Sequence, residues 1–108
     1  LGVQAMPSIT IYSKDTCPYC DSAKRLLASK GQTWTEIDVE ADRARRNEMI
    51  ERSGRRTVPQ IWIGERHIGG FDELAALEDA IEEAREMRRE QAEARTRAAL
   101  ARLQSNGD

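Results

Sequence analysis

With 108 residues the chain can bury one modest core but not two, so a single domain is expected. Its net charge of −2 argues against nucleic acid as the main partner, and no apolar run approaches the roughly 18 residues that cross a bilayer. Two cysteines are too few for a secreted disulfide framework, so a close pair reads as redox-active or metal-binding.

The opening "LGVQAMPS" lacks the charged start and long apolar centre of a signal peptide, and a cytoplasmic location is expected. Residues 1–6 are set apart as an N-terminal extension or an expression remnant, with Met6 a candidate native start. "SITIY" (8–12) alternates Ile9 and Ile11 with Thr10 and Tyr12, the period of a strand. The loop "SKDTC" offers Thr16 as a helix N-cap. Pro18 falls in the first turn, where a missing N–H costs nothing. Ala23, Leu26 and Leu27 follow at helical spacing until Gly31.

"TWTEIDV" (33–39) is rich in β-branched residues and reads as a second strand. "EADRARRNEMIERSG" (40–54) is a polar helix whose thin apolar side is Ala44, Met49 and Ile50, closed by Gly54. "QIWI" (60–63) and "RHIG" (66–69) are short strands joined by Gly64 and Glu65, a two-residue turn with glycine first. From Asp72, at or near an N-cap, no glycine or proline occurs until Gly107, which predicts a helix. The order β-α-β-α-β-β-α predicts a right-handed parallel unit followed by an antiparallel hairpin. Together they make a small mixed sheet with helices on its faces.

Both cysteines lie in "TCPYC". A sulfur at Cys17, at the start of a helix, faces free backbone N–H groups and the positive end of the helix dipole. Both favour thiolate over thiol. Lys14 lies three residues earlier and adds positive potential. Cys20 sits one helical turn later, within reach of a disulfide formed at Cys17, so Cys17 attacks and Cys20 resolves. A closed zinc site usually needs four ligands, and two Cys and one His do not supply them, so no metal is expected.

"TCPYC", "RTVPQIWIG" and "HIGGFDEL", in that order and spacing, resemble the dithiol glutaredoxins over roughly residues 7–86. The resemblance implies a thioredoxin-like fold, a four-stranded mixed sheet flanked by helices, here with an extended C-terminal helix. It implies a glutathione-dependent thiol-disulfide oxidoreductase that reduces protein–glutathione mixed disulfides and protein disulfides. Glutathione is the co-substrate, later re-reduced by a flavin reductase using NADPH, and no tightly bound cofactor is expected. The implied partners are glutathione and glutathionylated or disulfide-containing proteins, with no nucleic acid and no membrane.

By the same resemblance Cys17 is the nucleophile and Cys20 the resolving thiol, dispensable for deglutathionylation. Pro59 of "TVP" is expected in a cis peptide, leaving the Val58 backbone to pair with glutathione as a strand edge does. In "GGFD", Gly70 permits close approach, the N–H groups of Phe71 and Asp72 suit the γ-glutamyl carboxylate, and the Asp72 side chain suits the ammonium. Lys14 and Arg46 match the family's cations for the glycyl carboxylate. Tyr19 covers the groove, and Thr57 supports the loop. Several relatives carry Cys or Ser where this chain has Phe71, which alters the groove there. His67 reads as a strand surface residue, and Trp34 and Trp62 as packing residues.

Two rival readings exist. One is a thioredoxin-like electron donor reduced by a flavoprotein reductase, against which Lys14 and "GGFD" argue. The other is a carrier of a glutathione-ligated [2Fe–2S] cluster, a role more common with a monothiol "CGFS" site. Residues 7–87 form the expected glutaredoxin domain, and 88–108 a charged helical extension that the family does not explain. Residues 1–71 hold 11 basic and 9 acidic side chains, a net of +2, whereas 72–108 hold 6 and 10, a net of −4. Leu74, Leu77, Ile81 and Ala84 make an apolar stripe expected to cover the sheet. Arg89–Glu93 and Glu93–Arg97 stand four apart as helix-supporting pairs. A monomer is expected, with Leu100 and Leu103 the candidates for weak self-association.

Overall fold

A computed structural model of the chain describes residues 8–105, so the N-terminal extension, with its candidate start at Met6, lies outside the described residues. The elements are β1 (Ile9–Ser13), α1 (Pro18–Ser29), β2 (Thr35–Asp38), α2 (Arg43–Ser53), β3 (Gln60–Ile63), β4 (Arg66–Gly69) and α3 (Phe71–Ser105). The sheet order is β2-β1-β3-β4. β1 pairs parallel with β2, and β3 pairs antiparallel with both β1 and β4.

Alternation along the two central strands makes two cores, one on each face of the sheet. Ile9, Ile11 and Ile61 point to one face, where they meet Ala23 and Leu27 of α1 and Leu74 of α3. Tyr12 and Trp62 point to the other, against Val39 and Met49. Each fully buried aliphatic or aromatic side chain contributes about 1.5–3 kcal/mol. A hydrogen-bonded cluster then fixes α2. Tyr12 Oη donates to Glu48 and accepts from Arg52 Nη1 at 2.8 Å. The Arg52 guanidinium lies 4.4 Å from the centre of the Trp62 ring.

The ends of the elements follow local chemistry. The N-cap of α1 is Cys17 and not Thr16, because the Cys17 sulfur accepts the Cys20 N–H. Thr16 instead takes φ 55°, a left-handed conformation rare for a β-branched residue. α2 starts at Arg43, later than expected, because Asp42 accepts from the Ala44 and Arg45 N–H groups and caps it there. Gly64, at φ 60°, makes the hairpin turn, with Ile63 and Arg66 paired across it.

The chain divides into two compact units at Ala76 and Leu77. The second unit is the continuation of α3. Within it Arg85 and Glu82 form an ion pair at 3.8 Å. Among the described residues Arg89, Glu93 and Arg97 form none, since exposed pairs gain little over hydration. Met87, Leu100 and Leu103 are exposed. No described helix is long and apolar enough to cross a membrane.

Candidate active site

The site is assembled at the ends of β1 and β3. β1 leads through Lys14 and Thr16 into α1, so the turn after the strand delivers Cys17 to the helix N-terminus. Cys17 and Cys20 are joined in a disulfide, their Cα atoms 5.2 Å apart. The Cys20 N–H donates to the Cys17 sulfur at 3.2 Å. Cys20 is fully buried, one turn behind, and Cys17 is the outer sulfur of the pair.

The Val58–Pro59 peptide is cis. The segment packs against the cysteines, with the Val58 carbonyl oxygen 3.9 Å from the Cys17 sulfur. A buried glutamine braces it from beneath. Gln60 Nε2 donates to the Thr57 carbonyl at 3.1 Å and to Thr57 Oγ1 at 3.3 Å. Its Oε1 accepts from His67 Nε2 at 2.7 Å, and the His67 ring stacks on Trp62 with centroids 4.5 Å apart. Burial, reinforced by Arg55 and Arg52, pushes the His67 imidazole below its ordinary value. His67 is thus more than a strand surface residue: its neutral ring orients Gln60, which in turn holds Thr57.

Two clefts meet along Tyr19, Thr57 and Val58. One is an open cavity of about 620 Å³ lined by Lys14, Cys17, Arg46 and Thr57, and also by Glu40, Arg43 and Arg56. The other, about 190 Å³, is lined by Pro59, Gly70, Phe71 and Asp72, with Arg55 and Glu73 at its side. Tyr19 is largely exposed and leans toward Phe71, ring centroids 6.4 Å apart.

At the second cleft the chain enters α3 through two glycines. Gly69 is the constrained one, at φ 120°, where any Cβ would also collide with the Glu73 side chain. A Cβ on Gly70 would make only ordinary contact, 3.5 Å from the Pro59 carbonyl oxygen. Asp72 does not cap the helix: α3 begins at Phe71, and the Gly70 N–H donates to Glu73 Oε1 at 2.9 Å. Arg55 Nη1 reaches the same oxygen at 2.7 Å. The Gly70 N–H first, and Arg55 second, hold the Glu73 carboxyl below its ordinary value. The Asp72 carboxylate is left exposed at the cleft.

Of the site residues expected from the sequence, Lys14, Cys17 and Arg46 line the first cleft, Pro59, Gly70, Phe71 and Asp72 the second, and Tyr19, Thr57 and Val58 both, while Cys20 lines neither. Sequence reasoning missed Gln60, His67, Arg43 and Arg56. A polar residue opening the apolar strand "QIWI" was the available signal for Gln60. The arginines gave none, because only the tertiary fold brings residues 43 and 56 beside residue 14. Among the described residues, no three His, Cys, Asp or Glu side chains are grouped as metal ligands.

A C-x-x-C disulfide at a helix N-terminus, beside a cis-proline on a four-stranded mixed sheet, defines a thiol-disulfide oxidoreductase of thioredoxin-like fold. The family model described as glutaredoxin matches residues 9–68. Glutaredoxin 3 of Escherichia coli strain K12 is 55% identical over 73 residues, covering 68% of this chain and 88% of that protein. A Pseudomonas aeruginosa glutaredoxin is 49% identical over 75 residues, covering 69% and 89%. The solution structure of a Brucella melitensis glutaredoxin superposes with a TM-score of 0.65 at 53% identity, over 73% of this chain and 86% of that one. A buckwheat glutaredoxin–glutathione complex gives 0.64 at 28% identity, over 68% and 70%. The chain belongs to the glutaredoxin family.

Proposed function

We propose that the protein is a glutathione-dependent oxidoreductase that removes glutathione from protein mixed disulfides and also reduces protein disulfides. The observation that carries this reading is the position of Cys17. Its sulfur lies 3.9 Å from the Val58 carbonyl oxygen and lines the cationic cleft, which meets a cleft at a helix N-terminus along Tyr19, Thr57 and Val58. Glutathione has matching parts: a glycyl carboxylate at one end, a peptide in the middle and a γ-glutamyl carboxylate and ammonium at the other. Lys14 and Arg46 hold the glycyl carboxylate. The Val58 backbone pairs with the cysteinyl peptide. The Phe71 and Asp72 N–H groups take the γ-glutamyl carboxylate, and the Asp72 side chain takes the ammonium. Pro59 and Gly70 shape the floor of the groove, Tyr19 covers it and Thr57 supports it. A buckwheat relative in complex with glutathione supports glutathione as the ligand.

In the dithiol state the Cys17 thiolate, favoured by the Cys20 N–H and the helix terminus, attacks the glutathione sulfur of the mixed disulfide. The protein–sulfur bond breaks and the protein leaves as thiolate, while Cys17 carries glutathione. A second glutathione thiolate attacks that bond, releasing oxidised glutathione and restoring the Cys17 thiolate. With a protein disulfide, Cys17 forms a mixed disulfide with one target sulfur and expels the other as thiolate. Cys20 then displaces the bound sulfur, and the pair closes into the disulfide seen here. Two glutathiones return it to the dithiol and leave as oxidised glutathione. The protein works in the cytoplasm on this reading.

A coupled assay on wild type, Cys17→Ser and Cys20→Ser tests the proposal. Loss of turnover with the first substitution and retention of deglutathionylation with the second are expected. Equal loss from both would refute the one-cysteine route.

A further inference from the structure

The cavity beside Cys17 is lined by four cations, Lys14, Arg43, Arg46 and Arg56, against one acid, Glu40. Among the described residues none of the four cations forms an ion pair. Elsewhere in the same unit Lys24, Arg45 and Arg55 are paired with Glu36, Glu48 and Glu73. Arg43 opens α2, whose first turn carries no acidic residue. Cations are disfavoured there by the helix dipole, so local helix stability does not account for this arrangement. One glycyl carboxylate and Glu40 leave two of the four positive charges without a counter-charge.

We infer that Arg43 and Arg56 recognise acidic side chains beside the reacting cysteine of a protein substrate. This rests on the glutathione reading above and adds a substrate class: proteins whose glutathionylated cysteine is flanked by Asp or Glu. Both arginines are exposed, so they act mainly by steering association, an effect that salt screens within about 10 Å at 0.1 M. The glycyl carboxylate of glutathione is assigned to Lys14 and Arg46, which leaves Arg43 and Arg56 for the protein substrate.

The test uses three peptides of equal length, each with one glutathionylated cysteine flanked by two Asp, two Ser or two Lys. The mixed disulfide of glutathione and 2-mercaptoethanol, whose leaving half is uncharged, serves as a control. At low salt kcat/KM is expected to be roughly tenfold higher for the Asp peptide than for the Lys peptide, and the ratio is expected to collapse at high salt. The double variant Arg43→Gln, Arg56→Gln is expected to lose the preference, its rates on the Asp, Ser and Lys peptides converging. Equal rates on the three peptides would overturn the inference alone, as would an acidic preference that survives in the double variant. Failure of the wild type to turn over the control would overturn the glutathione reading instead.

Discussion

The two clefts that meet along Tyr19, Thr57 and Val58 hold their charges in opposite ways. In the larger one Lys14, Arg43, Arg46 and Arg56 project from three separate segments, unpaired among the described residues. In the smaller one Arg55 is tied to Glu73, and Glu73 is tied to the Gly70 N–H. The first is a field that any suitably placed anion enters. The second is a fixed cradle, set by backbone and by one exposed carboxylate, Asp72. A small ligand with a single charge at one end and a zwitterion at the other suits this contrast, and it implies that the two clefts respond differently to substitution.

The largest expected effect comes from the strip that both clefts share. Gln60→Leu removes the support of Thr57 and leaves the His67 ring N–H without its partner. It is expected to cost about 1–3 kcal/mol of stability, measured by urea unfolding, and to impair turnover along with it. An unchanged midpoint would separate the two clefts from their common support. Next comes the fixed cradle. Asp72→Ala is expected to raise the KM for glutathione roughly tenfold with little change in kcat at saturation, the effect of one charge-assisted hydrogen bond. A fall in kcat alone would place Asp72 outside the binding step.

In the cationic cleft Lys14→Ala or Arg46→Ala is expected to raise the same KM only about two- to fivefold, the range of an exposed ion pair, and less at high salt. An effect larger than that of Asp72→Ala would reverse the comparison.

The smallest effect is a pH dependence. His67 has its pKa lowered in the folded state, by burial first. Below the ordinary value near 6.5 the unfolded chain therefore binds more protons than the folded one, and stability falls as pH drops through that window. Urea midpoints between pH 7 and 5 are expected to fall more steeply in wild type than in His67→Gln. Parallel slopes would remove His67 from the support of Gln60.

Much of this arrangement was legible in the residues. β3 and β4 matched the reading in their bounds, because alternation and a glycine-first turn pair "QIWI" with "RHIG", although the register shifts between Ile61 and Trp62. β2 was shorter than expected: Trp34 packs against the core without joining the ladder, which begins at Thr35. The cap of α1 was misplaced because a cysteine sulfur is not among the usual capping atoms, yet Cys17 takes that role. The α3 cap was misplaced for a different reason. Asp72 and Glu73 are both acidic, and only the backbone path through Gly69 decides which one turns back to Gly70. The cysteine pair, Tyr19, Lys14 and the "TVP" segment were readable as a group through the family resemblance. The cluster of arginines and the His67–Gln60–Thr57 chain were not, since each joins residues far apart in sequence. The role of residues 88–105 stayed illegible because their charged, alanine-rich pattern encodes a helix without a dominant apolar face.

The central claim is that one sulfur, at position 17, accepts glutathione. Cys20→Ser and Cys17→Ser can each be incubated with oxidised glutathione and read by mass spectrometry of the intact chain and its peptides. The account predicts rapid formation of a single glutathione adduct on Cys17 in the first variant and almost none in the second, whose remaining thiol is buried. Equal adduct formation on Cys20, or no adduct on Cys17, would contradict it.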